Sequence, residues 1–167
     1  MNTNLTLDKL IAALRDELQQ YGEMLARLDE QQEFAMRRAA DELLQSVGAV
    51  QEQGGRVSAA RRQREQIQGQ LAREFKLQCD APFSQMLPRL PESYRPLMQA
   101  LIQENNELLV RVQQRARQNH LLLLRSLELM QNLINSLFPG SSSSVYTDSG
   151  GLLNRTMPRA SFYEAVG

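Results

Sequence analysis

Near the start of the chain, apolar side chains return at Leu7, Ile11, Leu14, Leu18, Tyr21, Leu25 and Leu28. The steps alternate four and three, which is the seam of a helix packed in the coiled-coil manner. The opposite face carries Asp8, Arg15, Glu23 and Glu30, as a solvated face should. Asn4 and Thr6 are the candidate N-caps. Beyond Leu28 the same register meets Gln32, Ala35 and Ala39, and apolar residues resume only at Leu43, Val47 and Val50. From Arg56 to Gln78 the pattern stays helix-compatible, with a thin stripe of Val57, Ile67, Leu71 and Phe75. Gly54 and Gly55 interrupt it, each at a cost of about 1 kcal/mol inside a helix. The neighbouring residues are not turn-rich, so the pattern predicts one long helix over about residues 5–78 with a soft joint near 48–55. The alternative is two helices that turn at Gly54-Gly55.

The stretch CDAPFSQMLPRLPESYRP holds four of the six prolines and predicts a loop over about residues 79–95 that reverses the chain. A second long helix is expected over about 93–138, ended by Pro139-Gly140. The Ser141–Ser144 tract reads as a linker, and the remainder has no periodicity. The expected organisation is a helical domain over residues 1–140 and a flexible tail over 141–167. The fold class is all-α: an elongated antiparallel helical bundle or coiled coil of two or three long helices.

On a helical wheel, Leu97, Leu101, Leu108, Val112, Met130, Leu133 and Leu137 share the stripe expected against the first helix. Met98, Ile102, Leu109, Leu123, Leu127, Ile134 and Phe138 form a flanking stripe. Together they are wider than the roughly 100° that one neighbour covers, which suits a bundle of three helices. The run Leu121–Leu124 is different. Four consecutive leucines point in four directions, so at least one of Leu121 and Leu124 lies outside the bundle, where an exposed apolar patch marks a partner site or a self-association surface. Asn105 and Asn119 fall on the apolar stripe, where polar residues fix register.

Composition narrows the functional classes. The chain has 167 residues, with 19 basic and 19 acidic side chains. It therefore lacks the basic footprint of a nucleic-acid binder. The short run RRQRE, Arg61 to Glu65, has no interleaved aromatic platform and reads as cross-helix pairing or a solvated face. No apolar run approaches the roughly 20 residues of a membrane span, and no secretory signal is visible at the start. Cys79 and His120 are the single Cys and His, far apart and without a ligand cluster, so neither a metal nor a cofactor is expected. No nucleophile and base can be assembled, and the chain is read as a cytoplasmic protein that is not an enzyme.

Three features, taken in order, carry a resemblance: LRDELQQYGEMLARLDEQ in the leading heptad, LIQENNELL in a final helix that follows a proline loop, and VYTDSG after a leucine-rich helix end. This order resembles the FlgN-type flagellar export chaperones over roughly residues 5–150. The resemblance implies a helical, cytoplasmic chaperone. It would bind flagellar hook-associated (hook–filament junction) proteins and escort them to the flagellar type III export apparatus. In that family the C-terminal helix holds the client. The candidates for partner binding here are Leu121, Leu123, Leu124, Leu127, Met130, Ile134 and Phe138. Tyr146 and Gly150 match the tail motif, a candidate for docking to the export gate. The competing expectation is a structural coiled-coil scaffold that uses the same leucines to form homo-oligomers.

Overall fold

The computed structural model describes residues 3–137. Within that range the chain forms α1 (Thr3–Arg37), α2 (Ala40–Glu74), a short α3 (Phe83–Met86), a single 3₁₀ turn (Leu87–Arg89) and α4 (Arg95–Leu137). It divides into two compact units, residues 1–124 and 125–167. Among the described residues all regular structure is helical, as expected.

In the first unit α1 and α2 form an antiparallel hairpin. Thr6 Oγ1 donates to Glu74 Oε1, Arg64 donates to Glu17, and Gln53 Nε2 donates to the Gln20 carbonyl. As the residue number rises on α1 it falls on α2. Thr6 thus lies inside α1 and bonds across to α2 instead of capping the helix.

The reversal between α1 and α2 corrects the expectation of one helix with a joint near 48–55. It falls at Arg38 and Ala39, while Gly54 and Gly55 lie within α2. The physical reason is the closure at the end of α1. The Ala39 amide donates back to the Phe34 carbonyl and the Arg38 amide to Ala35, with Arg38 in the left-handed region at φ 56°. This is the pattern that usually recruits glycine. Here an arginine adopts it, so no glycine or proline signals the turn. Gly54 and Gly55 add no side chain for the seam, yet their amides still fit the helical ladder.

α2 ends the same way. Lys76 sits at φ 57°, and the Leu77 amide reaches back to the Ala72 carbonyl. The proline-rich stretch then reverses the chain as expected, and it also contributes to the core. Pro82 precedes α3. Arg95 Nε donates to the Leu90 carbonyl and its Nη2 to that of Pro88, fixing the stretch against the start of α4.

α4 runs parallel to α1, because the hairpin has already reversed the chain once. Asn105 Nδ2 donates to the Leu14 carbonyl at 3.0 Å, and Asn119 Nδ2 to the Leu28 carbonyl at 2.7 Å. Both pairs keep the same offset, so the two helices advance together. The core lies at one end of this arrangement. Leu7, Leu10, Ile11 and Leu14 of α1 meet Leu71 and Ala72 of α2, Ala81, Met86 and Leu90 of the connecting stretch, and Met98 and Leu101 of α4. Each of the larger side chains contributes about 1.5–3 kcal/mol by leaving water. α1 lies between two partners, which explains why its buried face includes Leu10, Ala13 and Glu17 beside the heptad seam.

Candidate functional site

The leucine run of α4 resolves in the first unit as its geometry demands. Asn119 points at α1. At about 100° per residue, Leu122 and Leu123 flank that direction and are half-buried, while Leu121 and Leu124 face away and are exposed. Leu121 is 61% exposed, which no bundle core produces.

The described part of the second unit is the end of α4, residues 125–137. Every residue in it is exposed. Its apolar side chains are not scattered. Leu127, Leu129, Met130, Leu133, Ile134 and Leu137 fall within an arc of about 160° at helical spacing, opposite Glu128, Gln131, Asn132 and Asn135. Met130, Leu133 and Leu137 belong to the stripe expected against the first helix, but they are 57–63% exposed. That expectation is corrected. Leu129, 70% exposed, was not singled out from the sequence. Its spacing of four to Leu133 and eight to Leu137 is the signal that would have found it.

Of the expected partner-binding residues, Leu121, Leu123 and Leu124 thus lie in the first unit, and Leu127, Met130 and Ile134 in the second. Phe138, Tyr146 and Gly150 lie outside the described residues, as do the Pro139-Gly140 pair and the serine tract.

A second feature is a cleft of about 420 Å³ between α1, α2 and α4, lined among others by Leu14, Glu17, Tyr21, Arg64, Ile102 and Leu109. Glu17, Tyr21, Arg64 and Gln68 are committed to one another. Tyr21 Oη donates to Glu17 Oε1 at 3.0 Å. Arg64 donates through Nε to Glu17 Oε2 at 2.9 Å and through Nη1 to Gln68 Oε1. Gln68 in turn donates to the Ala81 carbonyl, and the Arg64 guanidinium stands 5.9 Å from the centre of the Phe83 ring. Burial pushes the Tyr21 hydroxyl up to about 12, reinforced by the neighbouring Glu17 charge and hydrogen bond. The chain of bonds ties α1, α2 and the proline-rich stretch together. Its carboxylate is held by a cation and a phenol, an arrangement suited to fixing helices. The RRQRE run takes part in it: Arg64 crosses to Glu17, and Arg61 pairs with Glu65. Among the described residues no group of His, Cys, Asp and Glu could hold a metal ion, and no helix is long and apolar enough to cross a membrane.

Comparison with protein families decides the relationship. The family model described as FlgN protein matches residues 1–154. The chain belongs to the FlgN family. No curated protein and no solved structure matches it. FlgN-family proteins are flagellar export chaperones that bind export substrates. The match spans all the described helices, so in this FlgN-family chain both the polar tie at Glu17 and the apolar end of α4 lie within the family's extent.

Proposed function

We propose that this FlgN-family chain binds hook–filament junction proteins in the cytoplasm and delivers them to the flagellar type III export apparatus. The observation that carries the reading is the end of α4, where six large apolar side chains share one face and none is buried. A helix of this kind gains most from laying that face against a client, through anchors spaced three and four residues apart. Leu127, Met130 and Ile134 are such anchors, with Phe138 continuing their spacing in the sequence. Leu121, Leu123 and Leu124 are proposed as further contacts on the preceding turns. Tyr146 and Gly150 are proposed for docking to the export gate. Docking of this kind requires no nucleotide and no bond making.

The test is titration calorimetry of the purified full chain with a purified hook–filament junction protein. It is run beside Leu127→Asp/Met130→Asp and Leu121→Asp/Leu124→Asp, with light scattering and circular dichroism on each. The expected result is binding by the parent chain and a loss of at least about tenfold in each variant, equivalent to about 1.4 kcal/mol, at unchanged helicity and mass. Undiminished binding in both variants sinks the assignment of the site. A drop from oligomer to monomer, with no client bound by the parent, would instead make the leucines a self-association surface.

A further inference from the structure

The seam between α1 and α4 changes character along its length. At one end it is apolar. Met98 and Leu101 are buried and share a core with Leu7, Leu10, Ile11 and Leu14. Past Asn105 no apolar residue of α4 in the first unit is buried. Leu108, Leu109 and Val112 are half-buried, Val110 is exposed, and the buried residue in this stretch is Asn119.

Beside the half-buried Val112, Leu122 and Leu123, the directed ties of this stretch to α1 are polar. Arg115 Nε lies 2.7 Å from Asp29 Oδ1, and Arg115 Nη1 donates to Gln32 Oε1. Asn119 Nδ2 donates to the Leu28 carbonyl and to Gln31 Oε1. Two properties make these ties replaceable. The Arg115–Asp29 pair is partly open to solvent, so salt screens it. Asn119 Oδ1 is buried without a hydrogen-bond partner, so the bonds made by its amide are partly offset by the desolvation of its oxygen. Water can take over such bonds when the helices part, whereas it cannot replace the contacts around Met98.

We propose that residues 110–124 form a strap, latched to α1 by Arg115 and Asn119, which lifts while residues 95–109 stay clamped in the core. Lifting uncovers Leu28 and Gln31 on α1, both buried when the strap is down. The latch is ionic at its rim and opens with salt. This does not depend on which client the protein carries, or on whether it carries one.

The experiment measures distances between pairs of spin labels in the full chain. The exposed Cys79 is first replaced by Ser. One pair, Glu33→Cys with Gln118→Cys, reports on the strap. The other, Lys9→Cys with Gln99→Cys, reports on the clamped end; all four positions are exposed. At low salt each pair gives a single short distance. In 1 M salt (on the order of a 3 Å screening length), and in Arg115→Gln, the strap pair gains a second, longer distance. In Asp29→Asn/Asn119→Ala the ratio of lifted to latched strap rises by about tenfold, the scale of a charged hydrogen bond. The clamped pair does not move. A strap pair that keeps its single distance in all three conditions overturns the proposal. So does lengthening of both pairs together, which would mean that the bundle opens as a whole.

Discussion

Arg64 on α2 places Nε 2.9 Å from Oε2 of Glu17 on α1, joining the two arms of the hairpin through a carboxylate almost wholly out of water. The charge is tolerable there because the guanidinium and the Tyr21 hydroxyl both donate to it. Removing one partner leaves the other uncompensated. We therefore expect Arg64→Ala to cost about 3–5 kcal/mol in urea unfolding. The replacement Glu17→Leu/Tyr21→Phe/Arg64→Met should recover most of that loss, since apolar side chains of similar volume often substitute for a buried ion pair and no buried hydroxyl is left without its acceptor. A cost of the single variant below about 1 kcal/mol, the level of an exposed pair, would show that water reaches this carboxylate.

The raised Tyr21 hydroxyl sets a second expectation. Its value of about 12 lies above the ordinary 10.0, so the folded state favours the protonated phenol. The stability it contributes is complete below pH 10 and is lost as pH rises from there through 12. Unfolding measured across that window should show a downward slope that becomes shallower in Tyr21→Phe. An identical slope in both proteins would assign the alkaline loss to other groups.

The helical class, the first seam and the proline-rich reversal were legible because each rests on local pattern. Leu7, Ile11, Leu14, Tyr21 and Leu28 are buried at the heptad spacing that the sequence displays. The turn at Arg38 was not legible. Its left-handed residue is an arginine, and the glycines that attract attention lie inside α2. One hidden turn also alters the topology, since it reverses α2 and makes α4 parallel to α1. At the candidate site, a wheel alone required that at least one of Leu121 and Leu124 be exposed, and both are. The exposure of Met130, Leu133 and Leu137 was not legible, because a wheel gives the face on which a residue lies and not its burial.

The glycines of α2 separate into two kinds. Adding a Cβ at Gly55 meets nothing within 4 Å, while at Gly69 it would stand 3.1 Å from the Cys79 carbonyl oxygen. Gly55→Ala should stabilise the protein by about 1 kcal/mol through helix propensity alone. Gly69→Ala should destabilise it, because the opposing atom is backbone and must move. Thermal unfolding of the two variants decides the matter, and a stabilising Gly69→Ala would mean that the chain around Cys79 yields easily.

Both helix ends that carry left-handed residues should respond to glycine. Arg38 and Lys76 adopt φ of 56° and 57°, a conformation that costs a residue with a Cβ about 1–2 kcal/mol. Part of the gain on substitution is offset by the extra freedom that glycine brings to the unfolded chain. Arg38→Gly and Lys76→Gly are each expected to raise stability by about 0.5 kcal/mol. Destabilisation by either would show that the long basic side chain makes contacts worth more than the strain it carries.

The two asparagine rungs act as a ruler. Asn105 and Asn119 are fourteen residues apart on α4, and so are Leu14 and Leu28, whose carbonyls they hold on α1. At 1.5 Å per residue the rungs are about 21 Å apart along the helices. A change of length between them on one helix alone leaves one asparagine without its carbonyl. Removing one heptad from both helices at once keeps both rungs aligned. Within this seam, insertions and deletions that keep both rungs therefore come as matched pairs, whole heptads at a time.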